Sequence, residues 1–220
     1  MDSAVIQLMV LAGIALFLIL RLKNVLGTRD GFEPPRSTED APSSRSVRRD
    51  FEVIDGGPDR DITDHVDDGT PAARDLAAMK LAEPGFSVSD FVSGARGAYE
   101  MILMAFEKGE LDDIKDFLDE DVFQTFVDVV ADREDKGLKI DAEFVGVREV
   151  AISDATFDRG SQQAEITLKF VGELTSVVKD ADGKIVEGNP NEIKKQRDVW
   201  TFARTMGADD PNWRLVATGE

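Results

Sequence analysis

The chain has 220 residues, 42% of them hydrophobic, a formal net charge of −18 and no cysteine. Without thiols there are no disulfides, no thiolate metal sites and no cysteine nucleophile. The charge is −5 over residues 1–85 and −13 over residues 86–220, which argues against direct binding of nucleic acid or anionic lipid head groups by the folded part.

The first element is the apolar run Ala4–Leu20, in which Gln7 is the one polar side chain. Seventeen helical residues at ~1.5 Å each reach ~25 Å, just enough to cross a ~30 Å hydrocarbon core if the flanking cations snorkel. Asp2 precedes the run, while Arg21, Lys23 and Arg29 follow it, the reverse of a cleaved secretory signal. We therefore expect a retained transmembrane anchor over residues 1–26, with Val5, Leu8, Leu11, Ile14, Phe17 and Leu20 in contact with lipid and Arg21 and Lys23 at the interface. The positive flank directs the rest of the chain to the cytoplasm, or to the matrix of an organelle.

Residues 27–85 hold six of the eight prolines and little sustained apolar periodicity, so they read as a flexible, acidic, Pro-rich linker. Phe51, Val53 and Ile54 form a short apolar cluster within it, and His65, the one histidine, lies among Asp61, Asp64, Asp67 and Asp68. One imidazole on an unfixed scaffold makes a poor metal site.

From Ser87 the pattern changes. Phe91, Ala95, Ala98, Tyr99, Ile102, Leu103 and Phe106 recur at helical spacing behind a Ser87 or Ser89 cap. After Gly109 a short helix places Leu111, Ile114, Phe117 and Leu118 inward, and a third carries Val122, Phe123, Phe126, Val127 and Val130 as far as Lys136 and Gly137. The carboxylates of EKGELDDIKDFLDEDV fall opposite these apolar positions, as on a solvated face that is also suited to a basic partner.

Period-two alternation begins at Lys139, first across KIDAEFVGVREVAISDATFD and then across QAEITLKFVGELTSVV. KDADGK is a turn, although the following EGNPNEIKKQ suggests a long polar excursion rather than a tight hairpin. RDVWTFART and a last strand near Trp213–Ala217 complete the set. Helices followed by antiparallel strands predict an α+β domain over residues 86–220, about three helices packed on a curved sheet that encloses a concavity.

The chain contains no phosphate-binding glycine loop with its lysine, no dinucleotide fingerprint, no nucleophile elbow and no HExxH motif, and its one histidine lies outside the expected domain. We therefore expect no enzymatic activity and no cofactor. Tyr99, Leu103, Phe170, Trp200, Phe202 and Trp213 are the candidate lining of a pocket for a small hydrophobe, a lipid chain or a partner side chain, with core packing as the alternative.

The order of anchor, acidic Pro-rich tether, AYEMILMAFEKGELDDIKDFL and the strand WTFAR followed by NWRL resembles the adaptor proteins related to subunit 44 of the mitochondrial inner-membrane protein translocase, in their bacterial TimA branch. The resemblance implies a cone-like domain similar to nuclear transport factor 2, with an apolar pocket. It also implies a single-pass location in the bacterial inner membrane with the domain in the cytoplasm, and protein partners such as a translocon, a chaperone or membrane-protein clients. The long helical region that precedes the domain in the mitochondrial relatives is replaced here by the short tether.

Overall fold

The computed structural model describes residues 58–219. The expected anchor, the first part of the linker and the Phe51, Val53 and Ile54 cluster lie outside the described residues. Among the described residues no helix is long and apolar enough to cross a membrane.

The described residues form four α-helices, one 3-10 helix and five strands, in the order α1 (Arg60–Thr63), α2 (Pro71–Ala82), α3 (Val88–Lys108), the 3-10 helix (Leu111–Phe117), α4 (Glu120–Asp135), β1 (Lys139–Asp158), β2 (Gln163–Lys179), β3 (Ile185–Gly188), β4 (Lys194–Thr205) and β5 (Arg214–Gly219). The helices-then-strands reading of residues 86–220 is therefore the observed element order, with the middle helix of the three in 3-10 form.

The linker expectation fails for residues 60–82. Thr70 caps α2 with its hydroxyl on the Ala73 amide, Pro71 starts the helix, and Ala73, Leu76, Ala78 and Met79 are buried. Ile62 of α1 joins the same core. The apolar residues of α2, mostly alanines, are spread around the helix rather than along one face, so the periodic signal is weak and tertiary packing makes up the difference.

The Asp61 carboxylate accepts hydrogen bonds from the amides of Val88 (2.8 Å) and Ser89 (2.9 Å), the first-turn donors of α3, and pairs with Lys80 at 2.8 Å. A carboxylate 27 residues upstream thus caps α3, the longest helix among the described residues, from outside its own segment. Burial alone raises the Asp61 carboxyl, but Lys80 and the Ser89 and Val88 amides outweigh it and hold the group well below the usual carboxylate range. His65, which the sequence places among carboxylates, instead meets the Ser89 hydroxyl at 3.0 Å.

At the far end of this segment Glu83 pairs with Arg204 of β4 at 2.6 Å and accepts the Gly207 amide at 2.8 Å. The N-terminal helical segment is thus fastened at both ends.

The sheet is antiparallel, in the order β1-β2-β4-β5, with β3 added beside the end of β2. The polar excursion expected after KDADGK is instead a hairpin: Asp180 and Lys184 pair across a turn in which Gly183 takes φ 80°, and β3 returns along β2. Three register breaks in the β1–β2 ladder, between Phe144 and Gly146, Val147 and Glu149, and Ile152 and Asp154, bend these long strands. Helix α3 lies against the concave face and buries Phe91, Ala95, Tyr99, Ile102 and Leu103 against Ile166, Leu168, Phe170, Trp200 and Phe202 in one core. Its C-terminal stop is Gly109 at φ 78°, a left-handed position that glycine adopts without steric cost.

Candidate functional site

The six residues expected to line a pocket converge on the space between α3 and the sheet. The Tyr99 ring stacks on Phe170 at 4.5 Å and 9°, and Trp200 closes on it at 4.8 Å. Trp200 leads to Phe202 at 6.2 Å, Phe202 to Phe91 at 6.2 Å, and Phe91 to Trp213 at 4.6 Å. Tyr99, Leu103, Phe170, Trp200 and Phe202 are all buried, and Trp213 is half-buried against the same core. The alternation of β2 and β4 points these large side chains inward, where they meet the bulky face of α3 in one hydrophobic core.

The stack depends on Gly172. A Cβ built there lies 2.6 Å from the Tyr99 hydroxyl oxygen, so only a residue without a side chain allows the phenol to pass. The hydroxyl then donates to Asp198 of β4 at 2.6 Å, and the Gln196 amide donates to the other Asp198 oxygen at 3.2 Å. Burial first, and the Asp198 carboxylate second, push the Tyr99 phenol far above its ordinary value. Glu107, in the last turn of α3, is also raised by burial, with Arg133 and Lys194 opposing the shift and Asp198 reinforcing it. Helical spacing places Tyr99 on the inner face of α3 but carries no signal for Asp198, which meets it through the β4 register, or for Glu107, whose charged neighbours Arg133, Lys194 and Asp198 come from other elements.

A second feature lies on the outer side. A groove of about 460 Å³ separates the start of the 3-10 helix from α4, lined by Gly109, Glu110, Leu111, Asp112 and Asp113 on one side and Val127, Val130, Ala131 and Glu134 on the other. Its rim is acidic and its floor apolar. The acidic run was visible in the sequence as a solvated face, but the groove needs two elements side by side and has no linear signature. Among the described residues no group of three or more histidine or carboxylate side chains is arranged to hold a metal ion.

Residues 72–220 match the family model described as the Tim44-like domain. The chain is 24% identical over 168 residues to the human mitochondrial import inner membrane translocase subunit TIM44, covering 71% of this chain and 36% of that protein. It is 24% identical over 152 residues to the Arabidopsis thaliana subunit TIM44-1, covering 66% of this chain and 32% of that protein. The match thus spans about a third of the length of these relatives. Among solved structures, the intermembrane-space region of the chloroplast protein ARC6 aligns at 11% identity with a TM-score of 0.39, covering 58% of this chain and 94% of that one. With its family model matched across residues 72–220, α2 included, this chain belongs to the Tim44-like domain family.

Proposed function

We propose that the protein is a non-enzymatic adaptor, held at the inner face of a bacterial cytoplasmic membrane by residues 1–26, whose domain binds client or membrane-associated proteins. Membership of the Tim44-like family, whose matched relatives are named as import translocase subunits, carries this reading. Two features of the domain support it. Tyr99, Phe170, Trp200 and Phe202 are buried among one another in the core, and the acid-rimmed groove beside α4 offers an outward-facing contact surface with an apolar floor. Anchoring keeps the domain close to its partners, so weak contacts suffice.

Site-specific photo-crosslinking in intact cells tests the reading, with probes at Asp112 and Ala131, which line the groove, and at Trp213, which does not. The expected result is a reproducible set of protein adducts at the groove positions that disappears when residues 1–26 are deleted. Adducts to lipid or metabolite alone at every position would overturn the adaptor reading in favour of a small hydrophobic ligand. Full function of the truncated chain would remove the role assigned to the anchor.

A further inference from the structure

Helix α4 is the least embedded of the long helices. Of its 16 residues only Val122 and Phe126 are buried, whereas α3 buries seven of 21. Phe123, Val127 and Val130 are half-buried against the core, and Val129 is 42% exposed. The helix is pinned at its ends. At the start, the Asp119 amide donates to the Leu215 carbonyl of β5 at 2.9 Å. At the finish, Gly137 at φ 65° turns the chain directly into β1.

Between the pins, Arg133 joins its C-terminal half to α3, where the Glu107 carboxylate attracts it. Arg133 donates to the Phe106 carbonyl at 2.8 Å and lies 4.5 Å from the centre of the Phe106 ring. That ring in turn meets Phe126 at 4.5 Å. Beside this contact Val127, Val130, Ala131 and Glu134 of the same half line the groove, whose opposite walls carry like charge: Glu110, Asp112 and Asp113 against Glu134. Over residues 107–136 the chain has 12 carboxylates and four cations, so the repulsion is not neutralised locally. Between exposed charges this repulsion is weakened by salt, over a screening length of about 10 Å at 0.1 M.

We propose that α4 is a hinged lid, turning about Asp119 and Gly137, held shut by the Arg133 latch on the last turn of α3 and pushed open by the acidic walls of the groove. Opening uncovers Leu111 and Phe126, which are buried in the closed form, together with the half-buried Phe106 and Val130, and ionic strength sets how often this happens. The device goes beyond the adaptor reading and stands whether or not that reading does, because its test involves no partner.

The test is native-state hydrogen exchange on the full chain in detergent micelles, read element by element by mass spectrometry. The α4 amides are expected to exchange faster than those of α3 and β2, and to slow selectively as salt is raised from about 20 to about 500 mM. Arg133→Gln is expected to speed α4 exchange on the order of tenfold with α3 and β2 unchanged, the scale of a lost charge-assisted hydrogen bond. The double substitution Asp112→Asn and Asp113→Asn is expected to slow it. Exchange of α4 at the same rate as α3 and β2 in the unaltered chain, or an α4 rate indifferent to both salt and the asparagine pair, would overturn the proposal. So would an Arg133→Gln effect spread equally over all three elements, which is the mark of general destabilisation. Should the arginine variant fail to fold, the salt series and the asparagine pair decide.

Discussion

The substitution Glu83→Ala separates a fastened N-terminal segment from one that merely rests on the domain. Glu83 accepts two short hydrogen bonds, from Arg204 at 2.6 Å and from the Gly207 amide at 2.8 Å. The Arg204 side chain is 8% exposed and that of Glu83 28%, so this pair is largely withdrawn from water. Without Glu83 the guanidinium keeps the Pro211 carbonyl at 2.9 Å, the Met206 sulfur at 3.6 Å and the face of Trp213, while its Nε already lacks a partner.

Removing one member of a fully buried pair costs roughly 3–5 kcal/mol, and water reaching the partly exposed Glu83 position lowers this to about 2–4 kcal/mol. For a domain of this size the loss corresponds to a fall in Tm of roughly 5–12 °C. The assay is thermal and denaturant unfolding of the full chain in detergent. Arg204 and the Gly207 amide hold the Glu83 carboxyl below its ordinary value, so its contribution is present above the unfolded value of 4.5 and is lost as pH falls. The alanine variant should therefore show a flatter acid limb as well as a lower midpoint. Pairing it with Arg204→Met should recover part of the loss, since no buried charge is then left alone. A cost below about 0.5 kcal/mol for Glu83→Ala would refute the reasoning and reduce the contact to an ordinary surface ion pair.

Asp61→Asn should destabilise by about 1–3 kcal/mol near neutral pH through the weakened cap of α3 and the lost Lys80 pair. Because the folded carboxyl is depressed, that difference from the unaltered chain should shrink as pH falls below about 4, as acid titrations of both proteins would reveal. Gly172→Ala should cost about 1–3 kcal/mol by driving a Cβ against the Tyr99 hydroxyl, with a matching change in near-ultraviolet circular dichroism from the Tyr99, Phe170 and Trp200 stack; an unchanged spectrum and midpoint would refute the close approach. Tyr99 keeps its proton in the fold far above the ordinary value of 10.0, so stability should fall with rising pH above about 10, where only the unfolded chain ionises. Tyr99→Phe should remove that part of the alkaline slope while costing about 1–3 kcal/mol at neutral pH for the lost hydrogen bond to the Asp198 carboxylate.

The local code in this chain was strong where periodicity was long. The apolar face of α3, the switch to alternation at Lys139, and the strands 139–158 and 163–179 follow from spacing alone, because a helix or strand that buries one face writes its own period into the sequence. The inward placement of Tyr99, Phe170, Trp200 and Phe202 follows from the same rule. Whether those residues line an empty pocket or fill it is a question of summed volumes between two layers, and no single element records that sum. The segment from Arg60 to Ala82 was misread for a related reason. Its helices are short and weakly periodic, and their stability comes from an Asp61 cap, a Glu83 clasp and a Leu76–Met79 contact with a core formed by residues far along the chain. Composition thus determined the acidic surface and the class of fold. Tertiary structure decided which carboxylates became caps, clasps and groove walls, since those roles depend on partners that only folding brings within hydrogen-bond reach.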